Sequence, residues 1–201
     1  MKTLLRIDAS IRKEGSFSRN IGDFFQSQWK LKNPGGRMIN RDLAIQIIPH
    51  INQEITEAFY LENTQEILSL SDQIVEEVQV CDTLLITSAL YNFSLPSNLK
   101  SYVDHLVRIN KTFSQASNGQ YAGLMKDKQA IIITSKGGIY KGTNYEYLDF
   151  QDPYLKTILN FIGIQKTAIF SIEGTKAIGQ SENIISGIKS DILEFLNKDD
   201  I

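Results

Sequence analysis

The apolar positions of the chain switch repeatedly between strand-like runs and helix-like stripes. Thr3–Ala9 is short and mostly apolar, as a buried strand requires. From Ser18 to Leu31, the residues Ile21, Phe24, Phe25 and Trp29 recur near helical spacing. Asn33-Pro34-Gly35-Gly36 breaks that helix, and Arg37–Leu43 predicts a second strand. Residues 44–60 show no clear period. Glu62–Val80 places Ile67, Leu70, Ile74, Val75 and Val78 on one helical stripe. Thr83–Ser88 predicts a third strand. Pro96 suits the first position of a helix over 96–110, with Leu99, Tyr102, Val103, Leu106 and Val107 as its stripe. Gln129–Ser135 predicts a fourth strand. Asp152-Pro153 opens a helix that Gly163 closes. Thr167–Ile172 is the fifth strand, and Ser181–Leu196 the last helix.

Near-continuous apolar strands between helices are covered on both faces and therefore parallel. Five such strands and five helices predict an α/β fold, the flavodoxin-like doubly wound sheet of order 2-1-3-4-5. A length of 201 residues suits one domain over 1–201. The polar stretch 110–127 is long enough to be a functional loop.

Composition removes several classes. Lys+Arg 21 against Asp+Glu 23 leaves a net charge of −2, and no basic run exists, which argues against a nucleic-acid partner. Cys81 is the one cysteine, so no internal disulfide forms. With His50 and His105 it does not make a Cys/His zinc site. Arg6 and Asp8 interrupt the first apolar stretch, so no signal peptide is expected. No stretch approaches the roughly 20 apolar residues of a membrane span. The expectation is a soluble, cytoplasmic protein with Cys81 and Trp29 in its core. His105, off the stripe of its helix, is expected at the surface or an interface.

In such a sheet a ligand sits beyond the carboxyl ends of the strands where their order reverses. After the first strand, Ser10, Ser16 and Ser18 precede or open a helix, with Gly15 among them. Hydroxyls and a positive helix end suit a phosphate, although Ser16 or Ser18 also fits simple helix capping. Neither G-x-G-x-x-G nor G-x-x-x-x-G-K-[ST] is present. After the third strand, Leu90-Tyr91-Asn92-Phe93 offers flat apolar surface and hydrogen-bonding edges for a planar ligand. A core aromatic pair explains the same residues equally well. After the fourth strand, Ser135-Lys136-Gly137-Gly138 permits close backbone approach and positive φ, or simply a flexible turn. All three segments converge on one crevice.

These residues resemble the FMN-dependent NADH:quinone oxidoreductase and azoreductase family. The likeness rests on Ser10 with Ser16-Phe17-Ser18, on Leu90-Tyr91-Asn92-Phe93 and on Ser135-Lys136-Gly137-Gly138. Arg41-Asp42-Leu43-Ala44, Asn98-Leu99-Lys100, Thr112-Phe113 and Phe161-Ile162-Gly163-Ile164 support it, in family order along nearly the whole chain. The resemblance implies a homodimer with one FMN per subunit at the subunit interface. It assigns Ser10, Ser16, Phe17 and Ser18 to the phosphate. Leu90, Tyr91, Asn92 and Phe93 fall to the ring, and Ser135, Lys136, Gly137 and Gly138 to its pyrimidine edge.

The resemblance further implies a ping-pong cycle in which NADH or NADPH gives a hydride to the flavin and leaves. A quinone or azo acceptor then takes two electrons on the same face. No side chain is required as a dedicated catalytic acid or base, and Asn92 and Tyr140 are placed to orient substrate. Leu90 stands where the family often has methionine, Lys136 where some members have arginine, and Tyr140 where a histidine is often found. A flavodoxin-type electron carrier is the competing reading; the charge of −2 and the 110–127 stretch speak against it. A receiver domain would need acids where Ala9-Ser10 and Ser88-Ala89 stand. An interaction protein that has lost its cofactor would not need intact hydroxyl and glycine loops.

Overall fold

The computed structural model describes residues 1–61, 64–176 and 181–198. Three apolar runs become the central strands: β1 (Thr3–Asp8), β3 (Thr83–Ala89) and β6 (Gln129–Ser135). Leu4, Leu5, Ile7, Leu84, Leu85, Ile86 and Ala130 to Ile133 are each at most 3% exposed, so both faces are covered. Each buried Leu or Ile contributes roughly 1.5–3 kcal/mol. The strands β2 (Arg37–Asp42) and β7 (Lys166–Ile172) flank them, giving the all-parallel order β2-β1-β3-β6-β7. This is the predicted order 2-1-3-4-5, since β6 and β7 are the fourth and fifth strands of the sheet.

Alternation along each strand divides the core. Leu4, Leu85, Ile131 and Ile133 face α1 (Phe17–Lys32) and α6 (Ser181–Asn197) through Ile21, Phe25, Trp29, Ile192 and Leu196. Leu5, Ile7, Leu84, Ile86 and Ile132 face α3 (Gln65–Val80), α4 (Ser97–Leu106) and α5 (Gln151–Ile162). The chain leaves β1 for one edge of the sheet and β3 for the other, which opens a crevice between their carboxyl ends.

Several local expectations change. Within 44–60 a short helix α2 (Gln53–Ala58) forms, capped by Asn52, whose Oδ1 accepts the Ile55 N–H at 2.9 Å. It buries only Ala58, too little to create a periodic signal. Glu62 lies outside the described residues, and α3 starts at Gln65. Ile67 is 43% exposed while Leu68 is 4% exposed, because the buried stripe runs 68, 71, 75, 78 with Ile74. Pro96 is the N-cap of α4, and Val107 already lies past its end.

The 110–127 stretch is not an open loop. It carries an antiparallel hairpin, β4 (Phe113–Gln115) and β5 (Tyr121–Gly123). Phe113, Tyr121 and Phe161 of α5 stack with ring centroids 4.8–5.9 Å apart, fixing the hairpin to the helix. A Cβ on Gly123 would sit 2.2 Å from the Gly163 backbone nitrogen, so only glycine allows this approach. Gly163 itself ends α5 with φ 109°, the left-handed cap expected of it.

His105 is not a surface residue. It is 2% exposed, pairs through Nε2 with the Pro49 carbonyl at 3.0 Å, and its own carbonyl accepts the Ser71 hydroxyl. It is the polar seam between α4, α3 and the loop after β2, which hydrophobic periodicity does not register.

Candidate functional site

The loop after β1 folds three hydroxyls together. Ser10, Ser16 and Ser18 are 2%, 8% and 0% exposed. Ser16 Oγ lies 3.0 Å from Ser10 Oγ and 3.3 Å from Ser18 Oγ. Ser16 is also the N-cap of α1, accepting the Arg19 N–H at 3.4 Å. Capping and ligand binding are thus compatible here. The N–H groups of Phe17 and Ser18 donate to no acceptor among the described residues. They point out of a helix terminus whose dipole favours an anion. Arg19, which sequence reasoning passed over, holds the loop in place. Its guanidinium donates twice to the Ser10 carbonyl (3.2 and 2.7 Å) and pairs in bidentate fashion with Asp42 (2.8 and 2.7 Å). The Asp42 hydrogen bond, against the cost of burial and with help from Asp8, raises the pKa of Arg19 above its ordinary value.

The loop after β3 makes a tight turn. Tyr91 and Ser94 exchange backbone hydrogen bonds at 3.0 and 2.9 Å, and the two residues between them, Asn92 and Phe93, have φ of 47° and 66°. Two consecutive left-handed residues define a type I′ turn, which asparagine tolerates and phenylalanine does not favour. Strain of about 1–3 kcal/mol at such a residue is a common mark of a functional site. Tyr91 and Phe93 are 40% and 45% exposed, so they are not a core aromatic pair.

Gln151, another residue the sequence does not reveal, supports this turn from below. Its Nε2 donates to Ser88 Oγ (2.9 Å) and the Ala89 carbonyl (3.0 Å). Its buried Oε1 has no partner among the described residues. The Leu90 N–H donates to the Ser135 carbonyl at 2.9 Å, tying this loop to the end of β6.

After β6 the backbone, not the lysine charge, faces outward. Lys136 is 1% exposed, and its Nζ meets Asp149 (2.5 Å), Asp152 (2.7 Å) and Glu173 (3.3 Å). Burial opposes its charge, but the hydrogen bonds to Asp149 and Asp152 outweigh that and raise its pKa. Glu173 uses its other oxygen to accept the N–H groups of Tyr140 (2.8 Å) and Lys141 (3.0 Å). The cluster therefore shapes the 136–141 loop from beneath. Gly137 and Gly138 do not adopt positive φ. Their carbonyls accept from Lys176 and Gly174, and their N–H groups donate to nothing among the described residues. Their value is close approach, with two amides available at a ligand's edge. Tyr140 is half-buried beside Gly138, and Asn92 is exposed.

The three loops thus converge at the carboxyl ends of β1, β3 and β6. Two cavities are found among the described residues. One of about 350 Å³ opens at the serine loop itself, where Lys13, Gly15, Ser16, Phe17, Arg19 and Ile185 line it. One of about 740 Å³ lies at the opposite end of the sheet. Position relative to the strands, rather than cavity size, locates the chemistry. Among the described residues no cluster of His, Cys, Asp and Glu is arranged to hold a metal, and no helix is long and apolar enough to cross a membrane.

Cys81 takes no part. It is 1% exposed, and burial pushes its thiol pKa up to about 12. The folded protein is expected to resist a disulfide-exchange reagent at pH 8 and to react fully in denaturant; rapid native labelling would contradict the placement. Since the folded thiol ionises later than the unfolded one, this residue lowers stability only as pH rises above about 9.

Comparison with known proteins bears on the fold and the family. Residues 1–196 match the family described as having a flavodoxin-like fold. An FMN-dependent NADH:quinone oxidoreductase of Francisella philomiragia is 42% identical over 174 residues, covering 87% of this chain and 88% of that protein. One of Hydrogenovibrio crunogenus is 36% identical over 196 residues, covering 94% and 95%. The crystal structure of an azoreductase from Bacillus anthracis superposes with a TM-score of 0.90 at 22% identity, over 98% of this chain and 100% of the other. At that identity it bears on the fold alone. The two curated relatives, similar along nearly their whole length, place this chain in the flavodoxin-like family of FMN-dependent NADH:quinone oxidoreductases.

Proposed function

We propose that the protein binds FMN in the crevice and reduces quinones, and azo compounds, with NADH or NADPH. The observation that carries this reading is the convergence of three complementary loops on adjacent strand ends: an anion cradle, a strained aromatic turn and a pair of free glycine amides. The names of the curated relatives support the same chemistry. FMN fits these residues: a phosphate suits the Phe17 and Ser18 amides with the hydroxyls of Ser10, Ser16 and Ser18. Leu90, Tyr91, Asn92 and Phe93 line the ring. Ser135, Gly137 and Gly138 approach its pyrimidine edge, and Lys136 holds their loop from beneath. Gln151 Oε1, buried without a partner among the described residues, lies under the same turn.

When bound, FMN supplies the two-electron hydride chemistry that no side chain here provides. The chain's residues do the rest. Tyr91 and Phe93 present apolar surface that excludes water from the ring. Asn92, held left-handed, and Tyr140 orient the acceptor. The exposed aromatic rings beside the crevice support a homodimer in which a second copy covers it. The single buried thiol fits a reducing, cytoplasmic setting.

The test is a visible spectrum of protein mixed with FMN, desalted, and titrated with NADH without oxygen. A retained yellow chromophore that bleaches, and returns on adding a quinone, is expected. Flavin that is retained but does not bleach would favour an electron carrier. No retained flavin would overturn the assignment.

A further inference from the structure

A second site of different character occupies the far end of the sheet. The amino ends of β1, β3, β6 and β7, with the hairpin β4–β5, enclose a groove of about 740 Å³. It lies a strand length, roughly 20 Å, from the crevice. Four lysines line it, Lys2, Lys126, Lys128 and Lys166, against two acids, Asp82 and Asp127. The groove thus carries a formal charge of +2 in a chain whose net charge is −2.

Part of that charge has a structural purpose. Lys128 donates to the carbonyls of Gln79 (2.6 Å) and Cys81 (2.7 Å), where α3 ends and its dipole favours a cation. Asp82 is likewise occupied, its Oδ2 accepting the Thr3 N–H at 2.6 Å. Lys2, Lys126 and Lys166 are different. Among the described residues none of the three pairs with a carboxylate or donates to a carbonyl. Like charges gathered around one concavity repel one another unless an anion sits between them.

The walls are fixed rather than floppy. Gly123 packs directly on the Gly163 backbone, and the Met125 N–H donates to the Ile162 carbonyl at 2.8 Å. Both glycines line the groove, where the hairpin meets the end of α5. The volume suits a small organic ligand, for which roughly 300–1,000 Å³ is usual. Ammonium groups act as point charges toward phosphate.

We propose that this groove binds a diphosphate-bearing anion, held by Lys2, Lys126 and Lys166, at a site separate from the flavin crevice. The same charge would serve free pyrophosphate or the diphosphate of a nucleotide, and the two sources are separated by experiment. Purified protein, with and without added FMN, is titrated calorimetrically with pyrophosphate and with ADP, at low and at physiological ionic strength.

One saturable site that weakens with salt and does not depend on FMN is expected. The double variant Lys126→Gln/Lys166→Gln is expected to weaken it about tenfold or more, leaving flavin retention unchanged. Lys30→Gln/Lys156→Gln, which removes two exposed lysines outside the groove, is expected to leave it unaltered. ADP binding about tenfold tighter than pyrophosphate would assign the nucleotide source, and equal affinities the free anion. No binding of either probe, or binding that the groove variant does not weaken, would overturn the proposal. Because the FMN-free arm stands alone, failure of the flavin assignment does not affect the outcome.

Discussion

Replacing Lys136 with methionine is expected to cost about 3–5 kcal/mol of folding stability, read as a lowered midpoint in chemical denaturation. The ammonium is 1% exposed in its side chain and faces three carboxylates, Asp149, Asp152 and Glu173, themselves only 11–13% exposed. Methionine keeps the volume but leaves those acids without their cation. Asp152 would retain the Ser171 hydroxyl (2.5 Å) and Asp149 the Gln151 N–H (3.0 Å), which is insufficient for buried carboxylates. The loss is a large part of the roughly 5–15 kcal/mol that holds a typical domain together.

Lys136→Arg keeps the charge and is expected to recover most of the stability. Adding Asp149→Asn to the methionine variant is expected to restore part of it, as coupled partners do. A cost below about 1 kcal/mol would put the lysine in the class of weak surface pairs and remove its role as the base of the 136–141 loop.

That cluster also marks the boundary of what the sequence discloses. The central strands are legible because their apolar runs, Leu84 to Ile86 or Ala130 to Ile133, are buried on both faces and need no partner to be recognised. Trp29 is legible as a core anchor because its helix keeps a clean period; it is fully buried. The three candidate loops are legible from their place after strands. Lys136 is different. Its residue type suggests a ligand contact, whereas its partners lie 13, 16 and 37 residues away and only the fold brings them to it. Arg19 and Gln151 escape notice for the same reason, since only the fold brings Asp42 on β2 to the one and Ser88 and Ala89 on β3 to the other. The hairpin at 113–123 is hidden because Phe113 and Tyr121 find their common partner, Phe161, on a helix far along the chain. Side-chain periodicity reports burial, and these residues work through pairing.

Ser16→Asp is expected to fold as well as the natural chain and to lose FMN. Aspartate caps helices as well as serine does, so its carboxylate can take over the Arg19 N–H and also accept from the Ser10 and Ser18 hydroxyls. A negative charge at the start of α1 is favoured by the helix dipole. The same charge then occupies the place proposed for the phosphate. Two like charges about 4 Å apart at an effective dielectric near 20 repel by about 4 kcal/mol, which is a loss of about a thousandfold in affinity. Flavin fluorescence titration measures it directly.

Riboflavin supplies the control, because it has the ring and lacks the phosphate. Its affinity is expected to change little, so the gap between the two flavins should close in the variant. Ser16→Ala, which deletes the cap without adding charge, is expected to cost about 1 kcal/mol of stability and to weaken FMN far less. FMN binding that survives Ser16→Asp would move the phosphate away from the serine loop. The three buried hydroxyls would then be a capping device and nothing more.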